Sequence, residues 1–148
     1  MENELFSKLL NKSIRKEELF QRVKQNFDLL TMIFNGVSSS KATIRYSCSK
    51  VLMDLSEESP EKLYPHIDFF IDLLESKYRI LTWNAMAIIA NLTKVDTQGK
   101  FEEIFDTYYS FLNDVYMVTV VNIVKHSGKI ALTKPHLISK ITKELIKG

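Results

Sequence analysis

Residues 44–56 read IRYSCSKVLMDLS and place the chain's only cysteine, Cys48, between two serines and near Arg45 and Tyr46. A thiol there would be a nucleophile or a redox centre if a cation or histidine held it as thiolate. The spacing favours packing instead. Ile44, Cys48, Val51, Leu52 and Leu55 fall at intervals of four, three, one and three, which is one apolar face of a helix. Arg45 projects from another side of that helix. None of the histidines, His66, His126 and His136, falls within it to activate a thiol. Free cysteine is among the most buried residue types, so Cys48 is expected in the core.

The three histidines form no ligand spacing with one another or with Cys48, such as two histidines four apart. No metal and no other cofactor is expected. Gly36-Val37-Ser38-Ser39-Ser40-Lys41 has a glycine, serines and a lysine ahead of a helix. It lacks the spacing of a phosphate-binding loop and a strand before it, and reads as a helix stop followed by a cap. Adjacent acids such as Glu57-Glu58 and Glu102-Glu103 do not converge on a helix, and solvated faces are expected. No catalytic cluster is left, and the chain reads as a non-enzyme.

The elements that carry these residues are helices. Only four glycines and three prolines in 148 residues leave little material for the turns of a β-fold. One cysteine forms no internal disulfide, and no secretory signal opens the chain, so a cytoplasmic protein is expected. The longest apolar run, around Ala85 to Ala90, is far below the roughly 18 residues of a membrane span, and no membrane partner is expected. The net charge of +2 is uneven: residues 60–114 carry five basic and nine acidic groups, residues 115–148 six and one. That basic end could draw an anionic partner or simply solvate a last helix.

Apolar periodicity and punctuation give helices over Glu2 to Asn11, Arg15 to about Phe34, Lys41 to Leu55, Pro60 to Leu74, Tyr78 to Thr93, Lys100 to Leu112 and Val115 to Leu132, with an eighth from Pro135. Pro65 should bend the fourth, because it removes a backbone donor and crowds the preceding turn. Ser127-Gly128 should interrupt the seventh.

The face defined by Ile44, Cys48, Val51, Leu52 and Leu55 recurs thirty-seven residues later as Leu81, Ala85, Ile88, Ile89 and Leu92. Thirty-nine further on come Val120, Val124, Ser127, Gly128 and Ala131. Here the chain resembles the HEAT-repeat (armadillo-like) family of α-solenoids. Ile44-Arg45, Cys48 and Val51-Leu52 fit the second helix of such a repeat, and Pro65 fits the bend in the first. LYPHIDFFIDLLES and WNAMAIIANL look like phrases of uncharacterised prokaryotic HEAT proteins. The resemblance implies a single all-α domain over 1–148, a right-handed α-solenoid of about three helical hairpins. Residues 1–36 would be an N-terminal cap or degenerate repeat, and 37–148 the recognisable repeats. It implies a concave side lined by the second helices. The arginine becomes Thr82 and Val121 in the later copies.

On the same alignment three rows flank the core face: Tyr46, Trp83 and Asn122; Ser49, Met86 and Lys125; Met53, Ala90 and Lys129. Of these, Tyr46, Trp83, Met86, Asn122, Lys125 and Lys129 are the candidate binding residues. Large rigid aromatics and methionine suit a peptide-binding groove; Trp83 packed between repeats and solvated lysines are the competing expectation. The function expected is a non-catalytic scaffold that binds a protein or peptide on its concave face. The alternative is nucleic-acid binding, including a role resembling that of the HEAT-like alkylpurine DNA glycosylases, with Asp54 as the nearest groove acid.

Overall fold

The computed structural model describes residues 2–147; Met1 and Gly148, the outermost positions of the expected domain, lie outside the described residues. Every regular element among the described residues is helical. The chain divides into two compact units, Met1–Glu58 and Ser59–Gly148.

In the first unit, α1 spans Glu2–Leu10, α2 Lys16–Gln25, α3 Leu30–Val37 and α4 Ala42–Glu58. Where one helix is expected over Arg15 to Phe34, the chain breaks at Asn26. Its backbone is extended, at φ −149° and ψ 92°, and its side chain accepts the Asp28 amide, as an N-cap does. A 3-10 turn at Phe27–Leu29 then leads into α3. The break lets α1, α2 and α3 all pack against α4. Leu19, Val23, Ile33, Cys48, Leu52 and Leu55 form the buried centre of this unit.

Cys48 is fully buried, and burial pushes its thiol up to about 12, so it stays protonated and unreactive. Its task is close approach. A Cβ on Gly36 of α3 would lie 2.3 Å from Cys48 Sγ and 2.9 Å from Phe6 Cζ.

In the second unit, α5 is Pro60–Leu63, α6 Ile67–Leu73, α7 Arg79–Leu92, α8 Lys100–Ser110, α9 Met117–Thr133 and α10 Ile138–Lys147. Pro65 acts as expected: α5 and α6 are separated by a 3-10 turn at Tyr64–His66. Pro135 likewise opens a 3-10 turn before α10. Ser127-Gly128 does not interrupt α9, since Ser127 is buried with its hydroxyl donating to Ile123 O at 2.7 Å, while Gly128 faces open space.

The main correction concerns α9. Its buried residues are Thr119, Ile123, Ser127 and Ile130. The expected inward face of Val120, Val124, Ser127, Gly128 and Ala131 is off by one residue, and Val124 is 51% exposed. Valines lie on both sides of VTVVNIV, so apolar identity cannot fix the rotation. Hydrogen bonds fix it: Trp83 Nε1 donates to Thr119 Oγ1 at 2.8 Å, and Tyr109 Oη lies 2.8 Å from Ser127 Oγ. Because the Ser127 proton is already directed at Ile123 O, Tyr109 is the donor of that pair. Tyr109 belongs to an aromatic ladder along α8, in which the Phe101 and Tyr108 rings are 5.2 Å apart and those of Phe105 and Tyr109 4.7 Å.

Gly36→Ala is expected to lower unfolding stability by about 1–3 kcal/mol in urea titrations, the usual cost of overpacking. Replacing a helical glycine by alanine gains only about 1 kcal/mol, which the clash outweighs. Adding Cys48→Ala should return part of the loss, and a double-mutant cycle reads that coupling directly.

Candidate functional site

Tyr46 lies in the first unit, half-buried, with the Arg45 guanidinium 4.7 Å from its ring centre. Arg45 itself is buried and donates to Ser39 O at 2.9 Å, so the pair organises the start of α4. Asp54, the acid of the glycosylase alternative, pairs with Lys50 at 2.9 Å.

The other five candidates lie in the second unit. Met86 is a correction: it is 0% exposed, its carbonyl accepts the Tyr108 hydroxyl at 3.0 Å, and it belongs to the core. Trp83 is half-buried with its indole N–H directed at Thr119, so it joins α7 to α9. Lys129 is exposed, and its ammonium donates to Asn91 Oδ1. Asn122 is half-buried and Lys125 exposed. With α9 turned by one residue, the three rows continue as Val121, Val124 and Gly128, in place of Asn122, Lys125 and Lys129.

That rotation creates the most conspicuous surface of the unit. Met117, Val121, Val124 and Leu132 share one side of α9 at helical spacing, and all are exposed, Leu132 to 86%. Exposed Gly128 sits in the same stripe with no neighbouring atom within 4 Å of a would-be Cβ. Lys125 and Lys129 run along one edge. Scattered surface valines need no explanation, whereas these residues form one contiguous apolar stripe. His126, half-buried on the same helix, is held down to about 4 by burial and by the charges of Lys125 and Lys129, and is neutral at physiological pH.

A second constellation, unforeseen in the sequence, is a polar cluster behind α8. Asp96 Oδ1 accepts the Lys100 amide at 2.8 Å and the Tyr64 hydroxyl, and Asp96 Oδ2 accepts the Phe101 amide at 2.8 Å. Lys134 Nζ lies 3.2 Å from Asp96 Oδ2 and 2.8 Å from Glu102 Oε1. The Asp96 and Lys134 side chains are 1% and 8% exposed. His136 Nε2 reaches Glu102 Oε2 at 2.7 Å. Glu102 is therefore not the solvated acid expected from its pairing with Glu103.

Burial would push the Asp96 and Glu102 carboxyls up. Tyr64, two amides and Lys134 more than offset this for Asp96, and Lys134 with His136 for Glu102, so both lie below their usual values. For Lys134 burial works downward and the two carboxylates prevail, raising it. Every polar group in the cluster has a partner within it, so its geometry is that of a staple. Among the described residues, no three His, Cys, Asp or Glu side chains gather as metal ligands, and no helix is long and apolar enough to cross a membrane.

Lys134→Met should cost about 3–5 kcal/mol, because it strands Asp96 and Glu102 without their cation. Acid should weaken the wild type in two stages. The folded chain keeps His126 neutral down to about pH 4, while the unfolded chain protonates it from about pH 6.5. The unfolded state then binds more protons, so stability falls on acidification. The stability that Asp96 and Glu102 contribute is present above their unfolded values and is lost as pH falls through their lowered folded values. Urea midpoints from pH 7 to pH 3 check both, and His126→Gln should flatten only the first stage.

No family model, curated protein or solved structure matches this chain, and the likeness to HEAT repeats rests on the residues quoted from its own sequence.

Proposed function

We propose that this chain is a non-catalytic interaction module of HEAT-like, right-handed solenoid architecture, and that its working surface is the open face of α9. The observation that carries this reading is the stripe of Met117, Val121, Val124, Gly128 and Leu132, left uncovered by the unit's own core and edged by Lys125 and Lys129. An apolar face of this shape accepts the apolar side of a partner helix, and Gly128 lets that helix approach closely. The lysines select a partner whose helix carries acidic residues along one flank. The recurrence of the α4 apolar face in α7 and, turned by one residue, in α9 supports the solenoid, as does the Pro65 bend in the first helix of a pair.

A photo-crosslinking residue placed at Val124 should give discrete protein adducts in native lysate, and the same residue at exposed Glu103 should not. Val121→Glu should abolish the adducts while shifting stability by no more than about 0.5 kcal/mol, since Val121 is exposed. Adducts that survive Val121→Glu would remove the stripe from the function. The nucleic-acid alternative predicts a retarded duplex in gel shifts at low salt that dissociates as salt rises. No such complex is expected for a helix whose lysines border an apolar stripe.

A further inference from the structure

Within the first unit, the turn between α1 and α2 and the first turns of α4 line an open cleft of about 400 Å³. That lies toward the lower end of the roughly 300–1,000 Å³ of small-molecule sites. Leu9 and Ile14, both buried, form its apolar floor. Lys12, Arg15 and Lys16 stand around it, with Glu17 as the one acid of the lining. Thr43 and Ser47, one helical turn apart on α4, bring two hydroxyls to the opposite wall.

The three cations differ from their neighbours. Lys8, Arg22, Lys24 and Lys50 each pair with a carboxylate of the same unit. Among the described residues, Lys12, Arg15 and Lys16 pair with none, although Glu17 is adjacent in sequence. Glu17 exerts its charge on Lys50. Lys12 also adopts a left-handed backbone, φ 64°, which is unfavourable for a lysine. The turn is held by the Ser13 amide, which donates to Asn11 Oδ1 at 2.9 Å and to Lys8 O at 2.8 Å. Arg15 precedes α2 in extended conformation and its side chain caps nothing.

We infer that this cleft binds a phosphate monoester. Three cations against one carboxylate leave the lining with a charge of +2, matched by a dianion. A phosphoryl group has three oxygens to receive guanidinium, ammonium and hydroxyl donors together. The apolar floor takes the body of the ester. A carboxylate offers these donors two oxygens where a phosphoryl group offers three, and the volume suits one compact ester better than a dinucleotide.

The test is an amide NMR titration of the full chain with inorganic phosphate and with adenosine monophosphate at constant ionic strength, with sodium chloride as control. Saturable shifts confined to residues 9–17 and 43–47 are expected. They should require about tenfold more ligand in Lys12→Gln/Arg15→Gln and in Lys16→Gln, a variant that leaves the Lys12 turn intact, and stay unchanged in Lys125→Gln. Flotation with phosphatidylcholine vesicles that contain phosphatidic acid, against phosphatidylcholine alone, distinguishes the source. Capture there, lost in the same variants and without saturable soluble binding, assigns the monoester to a lipid headgroup. Shifts that chloride reproduces, shifts that persist in both sets of glutamine variants, or silence toward all three phosphate probes would each overturn the inference.

Discussion

The second unit depends on the nearly buried contact of Lys134 with Asp96 and Glu102. Asp96 receives two amides at the start of α8, where the left-handed Gly99, φ 66°, turns the chain into the helix. The same carboxylate receives the Tyr64 hydroxyl from the Pro65 turn, and Lys134 reaches it from the segment that leads to α10. One carboxylate thus fixes three parts of the chain that are distant in sequence. Coulomb attraction is strong where water is excluded, and so is the cost of dehydrating the ions. Backbone amides and a phenol added to the cation tip that balance toward the charged state, as the lowered Asp96 and raised Lys134 both express.

With α8 held in place, its aromatic ladder faces α7 and α9, and small polar contacts decide how α9 rests. Thr119 under Trp83, Ser127 under Tyr109 and Thr133 Oγ1 2.6 Å from Thr93 Oγ1 are spaced along one side of the helix. A rotation by one residue would put Val120, Gly128 and Lys134 in their places and leave the Trp83 and Tyr109 donors unmatched in a mostly buried seam. An unmatched buried donor costs about 1–3 kcal/mol, and two such donors outweigh the gain from burying one more valine. The valines that lose this competition are the ones left in the exposed stripe. The surface on which the proposed function rests is a consequence of hydrogen bonding in the core.

What could be read in the sequence follows from how local each signal is. Pro60, Pro65 and Pro135 act within a single turn, and all three shape the chain where expected. Cys48 was legible because its helix has one clear apolar face, although its fit against Gly36 was not. Asn26 was missed: the apolar period runs through it unbroken, and only the Asn-Phe-Asp spacing hinted at a cap. The register of α9 failed for the opposite reason, since a helix with valine on every side has no readable period. Met86 followed from the same alignment, whose flanking row on α7 is buried. The Asp96 cluster joins residues more than thirty positions apart, and no local pattern marks a lysine that will be buried.

An exposed apolar stripe is also a liability, because like stripes associate. Lys125 and Lys129 bear on that problem directly. Two identical faces of α9 brought together would set these lysines near their own copies, a repulsion that an acidic partner helix converts into attraction. The Lys129 ammonium is already drawn to Asn91, so it stands at a defined edge of the stripe instead of sweeping across it. Lys140 is similarly occupied, 4.3 Å from the centre of the Phe105 ring, and Lys134 lies in the ion-pair cluster. The basic end of the chain is thus not one diffuse positive field. Part of it is structural, and under the proposed function the chemistry of discrimination falls to the two lysines that border the stripe.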